Sequence, residues 1–385
     1  MRNVVALGLV SFFTDFSTEM ILGILPLFVV TNLGGSRTIL GAMEGSAELV
    51  SYAFRMISGS LSDKVGKRKI FVLAGYALST ASKPFFALST GWLDAFAIRT
   101  LDRVGKGLRT APRDALIADS VSESVSGKAY GIHRTIDQMG AIAGPIAAFG
   151  LLQIIDIRGI FIASLIPGLI GLFILIFFVK EIVQKMSSKT TIFSNIGSVL
   201  KNNKPFSILL IISGIFGLGA FNFSFVLLKS SELGVDAHAI PIVYAVINVT
   251  HAAVGIPSGI LADKIGKEKV LIIAYFVFVV SAVLMIVLSA NSLYAFLLAA
   301  IFGLYIGISE TVQRAVVPRY IPSELRGTAF GVYNLVLGAS FFVSNVVFGL
   351  LWDIYNLGTA TIYSIVLAST AIIALIAFIR KYASG

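Results

Sequence analysis

The sequence predicts an all-α membrane protein with twelve transmembrane helices in two pseudo-symmetric six-helix bundles. Three observations predict it. Of 385 residues, 57% are hydrophobic and 13% charged, with a mean hydropathy of +0.91, whereas an ordinary soluble domain carries about 25% charge. Apolar runs of roughly 20 residues, the length that crosses a bilayer, follow one another along the chain. One polar phrase also occurs twice, as Gly59-Ser-Leu-Ser-Asp63-Lys64-Val-Gly66-Lys67-Arg68-Lys69 and as Gly259-Ile-Leu-Ala-Asp263-Lys264-Ile-Gly266-Lys267-Glu268-Lys269. Gly107, Gly127 and Gly131 match Gly307, Gly327 and Gly331 at the same offset, so the duplication runs beyond the phrase. The expected division is an N-terminal bundle over 1–180, a cytoplasmic linker over 181–205 and a C-terminal bundle over 206–385.

The first helix is expected at about 4–30, apolar except for Asp15, Glu19 and a few hydroxyls, with Pro26 towards its outer end. Asp15 and Glu19 stand four apart and share a face. The second, about 38–61, carries Glu44, Glu48, Ser51 and Arg55 as a polar stripe. The third runs to about 89 and contains Lys83-Pro84. The fourth, about 92–118, places Arg99, Asp102, Arg103, Lys106, Arg109 and Arg113 at three- and four-residue steps, a cationic stripe on a membrane-length segment. The fifth, about 128–154, carries His133, Arg134 and Asp137 ahead of Gly140-Ala-Ile-Ala-Gly144-Pro145. The sixth, about 159–180, is almost wholly apolar. The polar stretch that follows reads as a tether with room for a short surface helix. The second half repeats the pattern at about 206–230, 238–262, 269–290, 292–318, 326–351 and 358–380. Its polar groups are sparser: Asn222, Lys229, His251, Glu310, Gln313, Arg314, Asn334 and Asn345.

Charge placement sets the expected orientation. The formal net charge of +10 would suggest nucleic acid in a soluble protein. Here the bases from Lys64 to Lys69, at Lys180 and Lys201, from Lys264 to Lys269, and at Arg319, Arg326 and Arg380 fall on loops of one side. That is the positive-inside pattern, so both termini are assigned to the cytoplasm of a multi-pass protein in the cell membrane. The N-terminus has no signal-peptide pattern, and the chain is expected to insert as it stands. Without cysteine it has neither disulfides nor thiolate metal sites. Asp63 and Asp263 are read as caps on the helices that follow, where a carboxylate meets free amides and the positive helix end. Gly59 and Gly259 are read as points of close helix approach.

The doubled phrase resembles the loop between helices two and three of the major facilitator superfamily, G-x-L-[AS]-D-[RK]-x-G-[RK]-[RK], with its weaker copy between helices eight and nine. The resemblance covers the whole chain and leans towards a prokaryotic branch of drug:proton antiporter-like permeases. It implies that helices one, four, seven and ten line a central cavity while two, five, eight and eleven form a rocking interface. Arg99 is similar to the fourth-helix arginine implicated in proton transfer, although Arg103-Val-Gly105-Lys-Gly107 gives an offset match to the same motif. Gly140-x-x-x-Gly144-Pro145-x-x-Ala148 resembles the fifth-helix motif of exporters but lacks its last glycine. Small residues there also permit close helix crossing in any packed bundle.

The expected function is secondary active transport by alternating access, as proton-coupled efflux of a small amphipathic or charged molecule. An organic-anion or metal-chelate transporter is an alternative, and a non-transporting membrane sensor or scaffold is one from another class. Embedded ionisable groups cost about 2.5–3.5 kcal/mol each on insertion scales and therefore need partners or work. Asp15, Glu19, Asp137 and Arg99 are the proton-coupling candidates. Glu44, Glu48, Arg103, Lys106, His133, Arg134, Asn222, His251, Glu310, Gln313, Arg314 and Asn334 are the candidates for the substrate cavity. The cytoplasmic gate is assigned to Gly59, Asp63, Gly66, Lys67, Arg68, Arg109, Arg113, Gly259, Asp263, Gly266 and Lys267, with Arg109 and Arg113 placed to meet Asp63. No phosphate loop, paired zinc motif or nucleophile elbow is present, so no enzymatic activity and no cofactor are expected beyond a proton as coupling ion. His133 and His251, on separate helices, leave metal binding undecided. The expected partners are a small-molecule substrate and the bilayer, with no nucleic acid and a monomeric chain.

Overall fold

A computed structural model describes residues 1–122, 125–182, 196–322 and 325–382, and no strand occurs among them. The helices are α1 (Arg2–Leu22), α2 (Arg37–Val65), α3 (Lys69–Ser82), α4 (Trp92–Asp119), α5 (Ser126–Leu151), α6 (Ile157–Ala163), α7 (Leu165–Phe178) and α8 (Ile196–Asn202). They continue as α9 (Lys204–Gly219), α10 (Phe223–Glu232), α11 (Ile240–Ile265), α12 (Lys267–Val287), α13 (Ser292–Val316), α14 (Arg326–Ile354) and α15 (Leu357–Tyr382). Among the described residues nine helical stretches are long and apolar enough to cross a membrane. Three more, α2, α4 and α5, have 29, 28 and 26 residues. At 1.5 Å per residue they have the length as well, but they carry the charges that the others lack.

Several expected helices are broken where the chain carries proline or glycine. After α1 the chain turns at Gly23, resumes at Leu25–Leu27 and loosens into a π-helical turn over Phe28–Asn32. Pro26 has no amide hydrogen to give the ladder. Pro84 likewise turns the end of the third span into a 3-10 segment, Lys83–Leu88. The sixth expected span is two helices meeting at Ser164, and the seventh divides between α9 and α10 at Ala220–Asn222.

The chain forms two compact units. The first comprises Met1–Gly35, Ser46–Thr190 and Ala237–Ala245; the second comprises Ser36–Gly45, Thr191–Asp236 and Val246–Gly385. In the first, α1 packs along α5 and α7, and α3 along α4; in the second, α9 packs along α14 and α15, and α12 along α13. The matching pairs descend from the duplicated sequence. A Cβ on Gly107 would lie 2.7 Å from the Ser51 carbonyl oxygen, and one on Gly307 would lie 2.5 Å from that of His251. Each unit thus repeats the same glycine-to-backbone crossing two hundred positions on. Gly59 faces Ala111 at 3.3 Å and Gly259 faces Thr311 at 3.7 Å, so only the first is a tight approach.

The doubled phrase folds differently from the capping role expected for its acids. α2 continues through Asp63 and α11 through Asp263, so neither begins the next helix. The stop is Gly66 in one case and Gly266 in the other, at φ +69° and +103°, values that glycine adopts at no steric cost. Asp63 instead lies 3.3 Å from Arg68, whose guanidinium also pairs with Asp119 at the end of α4. Glu181 accepts from the backbone N–H groups of Arg68 and Lys69 at 3.0 and 2.9 Å and caps α3 from a distance. In the second unit the polarity is inverted. Glu268 accepts from Arg319 at 2.9 Å and from the Tyr320 hydroxyl at 2.5 Å. Positions 68 and 119 thus hold base and acid, while 268 and 319 hold acid and base. Arg68→Glu is expected to lower stability by about 2 kcal/mol or more by setting like charges together at a mostly buried pair. Arg68→Glu/Asp119→Arg should recover part of that loss, as read by thermal unfolding.

Candidate functional site

The fourth-helix stripe becomes the centre of a buried ionic cluster in the first unit. Arg99, Asp102, Arg103 and Arg109 are each at most 4% exposed. Their three- and four-residue spacing puts them on the faces that α4 turns towards α1, α2 and α3. Asp102 anchors the cluster, with Arg99 Nη1 at 3.3 Å, Arg103 Nε at 3.9 Å and the Ser79 hydroxyl donating at 2.5 Å. Arg103 reaches on to Glu48 of α2 at 3.7 Å. Arg109 lies over the Tyr76 ring, 4.5 Å from its centroid, a cation–π contact. α4 can come this close because a Cβ on Gly105 would sit 2.7 Å from the Gly75 carbonyl oxygen.

A second group gathers where α1 meets α5. Asp15 lies in the electrostatic field of Asp137, and Arg134 approaches Asp137 at 3.3 Å. Ser11 Oγ lies 2.9 Å from Tyr76 Oη and 3.0 Å from His133 Nε2, and accepts from Arg113 Nη1 at 3.2 Å. Arg113 also pairs with Asp114 at 2.9 Å. One helical turn along α1, Glu19 accepts from the Tyr244 hydroxyl at 2.5 Å. Lys106 lies in the electrostatic field of Glu48, Asp15 and Glu19 as well as that of Arg103. The fifth-helix glycines make the seam: a Cβ on Gly140 would meet the Phe12 carbonyl oxygen at 2.3 Å and one on Gly144 that of Phe16 at 2.6 Å. Pro145 continues within α5.

The residues expected from the sequence to form the site are therefore only partly brought together. Asp15, Glu19, Glu48, Arg99, Arg103, Lys106, His133 and Asp137 belong to the first unit's cluster. Arg134 joins at its rim with 45% of its side chain exposed. Glu44, though 2% exposed, falls in the Ser36–Gly45 piece of the second unit. Asp63 meets Arg68; Arg109 and Arg113 are held by Tyr76, Ser11 and Asp114, which overturns the pairing of those two arginines with Asp63.

Of the second unit's candidates, only His251 and Glu310 are brought together among the described residues. Asn222 caps α10 by accepting from Ser224 N–H at 2.9 Å, and its own N–H donates to Asn345 at 2.8 Å. His251 lies 3.6 Å from Glu310, and Gln313 donates to Ser309 at 3.0 Å. Asn334 is half-buried on α14, and the Arg314 side chain lies outside the described residues. Where the first unit has Arg99, Asp102 and Arg103, the duplicated positions are Ala299, Phe302 and Gly303. Phe302 belongs to a buried aromatic group in which Phe216 stacks on Tyr275 at 3.6 Å and Phe221 on Phe302 at 5.6 Å. Among the described residues no three His, Asp or Glu side chains are grouped to hold a metal.

Four participants fall outside the sequence-derived site. Asp102 stood in the stripe but was not singled out as its anchor. Tyr76 and Tyr244 carry no spacing signal. Lys83 is 1% exposed, with Nζ 3.1 Å from Ser17 Oγ and 3.4 Å from the Thr14 carbonyl oxygen. A lone lysine before a proline in an apolar run was its sequence signal.

Charged side chains buried among membrane-length helices define a multi-pass membrane protein with work to do inside the bilayer. The chain belongs to the Major Facilitator Superfamily, whose family model matches residues 7–344 and, in a second match, 209–384. It is a membrane transporter of that superfamily. Among relatives it is 39% identical over 347 residues to an MFS-type transporter of Methanocaldococcus jannaschii, covering 88% of this chain and 85% of that one. It is 24% identical over 283 residues to multidrug resistance protein MdtG of Escherichia coli, covering 71% and 69%. Among solved structures it is similar to nucleoside transporter NupG, with TM-score 0.80, 15% identity and 99% and 100% coverage. It is also similar to a bacterial homologue of the human lysosomal transporter Spinster, with TM-score 0.78, 14% identity and 99% and 97% coverage. At those identities the likeness is one of fold.

Proposed function

We propose that the chain is a secondary transporter of twelve membrane helices in two six-helix bundles that works by alternating access. It couples proton entry to efflux of a small amphipathic or charged molecule. Adding α2, α4 and α5 to the nine apolar stretches gives the twelve. What supports the coupling is the Asp15–Asp137 carboxyl pair, two acids in each other's electrostatic field where α1 meets α5. Two neighbouring carboxyl groups repel when both are ionised and can bond when they share a proton. A movement of α1 against α5 therefore changes how many protons the pair holds. Glu19, beside Lys106 and Arg103, is a second site of this kind on the same helix. The efflux direction is supported by the fifth-helix motif and by the name of the MdtG relative.

The test uses the full chain in sealed vesicles with an internal pH dye, challenged with a lipophilic cation, an organic anion and a metal chelate in turn. Substrate-evoked proton flux is expected for one class, and Asp15→Asn, Glu19→Gln or Asp137→Asn should reduce it at least tenfold in folded protein. Unchanged flux in all three variants would remove the proton sites. The anionic class has one observation in its favour. Among the described residues Arg109 Nη1 is a buried donor without a hydrogen-bond acceptor, which an anionic group would satisfy.

A further inference from the structure

We propose that the Tyr244 hydroxyl is a proton-released latch on Glu19. The proposal rests on the reading of Glu19 as a proton site and adds what its proton does. Tyr244 is 4% exposed, and its hydroxyl donates to Glu19 Oε2 at 2.5 Å. With Glu19 ionised this is a charge-assisted bond, about twice as strong as a neutral one.

Tyr244 lies on Ala237–Ala245, the short piece of chain that packs with the first unit although it leads into α11. Gly23, at the break after α1, makes the contact possible. A Cβ there would stand 3.2 Å from Pro241 Cα and 3.4 Å from the Tyr244 ring. Tyr244 is thus held by a close apolar seat at Gly23 and by a charge-assisted bond at Glu19. The seat is indifferent to pH and the bond is not.

The charged groups that face Glu19 are Lys106, Arg103 and Arg99 from α4, Lys83 from the segment that follows α3, and Asp15 from its own helix. When Glu19 takes up a proton it loses its charge, and the Tyr244 bond becomes an ordinary neutral one, roughly half as strong. No covalent bond changes; the proton resides on the carboxyl and the phenol keeps its own. From Val246 onward α11 belongs to the second unit, so loosening Tyr244 frees the start of a helix whose remainder packs elsewhere. A proton on α1 is thereby converted into freedom of α11, which is the conversion that coupled transport requires.

Backbone hydrogen exchange over residues 237–245, measured on the full chain in detergent micelles, tests the latch without a cargo. At pH 8 the wild-type segment is expected to be protected. Tyr244→Phe, which keeps the ring against Gly23, and Glu19→Gln, which keeps an acceptor, should each raise exchange there at least tenfold. The double variant should add nothing to Tyr244→Phe. After correction for intrinsic exchange, lowering the pH to 5 should loosen the wild-type segment and leave Tyr244→Phe unaltered. Additive losses, or unchanged protection in Tyr244→Phe, would overturn the latch. Proton flux in vesicles separates the two ideas. Flux lost in Glu19→Gln while exchange stays unchanged sinks the latch and leaves the proton site standing. Coupled exchange with intact flux removes the transport role of Glu19 and keeps the latch.

Discussion

Asp102→Ala is expected to destabilise the first unit by about 3–5 kcal/mol, the range for breaking a buried ion pair by removing one partner. The carboxylate is 4% exposed and stands against Arg99, at 1%, and Arg103, at 3%. Neither guanidinium can shed its proton to escape burial, as a lysine can. Arg103 retains Glu48 at 3.7 Å, and both guanidinium groups lose the carboxylate they share. Asp102→Asn should cost less, because the amide still accepts from Ser79 although it no longer neutralises charge. Asp102→Ala/Arg99→Leu should recover much of the loss, since replacing a whole buried pair by apolar groups is far cheaper than orphaning one member. Thermal unfolding of the wild type, Asp102→Ala, Arg99→Leu and the double variant gives the coupling directly. Strictly additive effects would mean that the two side chains do not stabilise one another.

How much of this was legible in the sequence depends on whether a feature is local. The stripe from Arg99 to Arg113 is a property of one helix, and period alone made it visible. The duplication was legible too, because a repeated phrase needs no partner to be seen. Partner choice was not. Arg68 bonds Asp119, Glu181 caps α3 and Tyr244 bonds Glu19, and these are contacts across roughly fifty to more than two hundred residues that periodicity does not encode. The caps assigned to Asp63 and Asp263 failed for a different reason. Aspartate before a turn is a good start signal, but the glycine three residues later is a stronger stop, and each helix runs on to meet it. Charge inversion at 268 and 319 was visible as a departure from the first phrase, Glu268 standing where Arg68 stands. Its compensation at Arg319 emerges only when the two ends are in contact.

Gly140→Leu is expected to abolish folding of the first unit, and Gly140→Ala to cost on the order of 3 kcal/mol, at the upper end of overpacking effects. The reason is the partner, not the volume. A Cβ at 140 would stand 2.3 Å from a backbone oxygen of Phe12, and its nearest other neighbours are that residue's carbonyl carbon and Cα, both at 3.0 Å. A side chain could rotate away; the main chain of α1 must move as a body. Such a shift would also disturb the Gly144 crossing one turn on and the spacing of Asp15 from Asp137. The same helix supplies its own control. Gly127 and Gly131 have nothing within 4 Å of an added Cβ, so alanine there should be neutral or slightly stabilising, since it removes the helix penalty of glycine, about 1 kcal/mol at an interior position. Thermal unfolding of the three alanine variants measures the contrast. Equal tolerance at 127, 131 and 140 would show that α1 and α5 do not cross as closely as their glycines allow. The expected inequality gives Gly140 and Gly144 a packing role that any transport direction must work through, because the carboxyl pair between these helices keeps its geometry only while the seam holds.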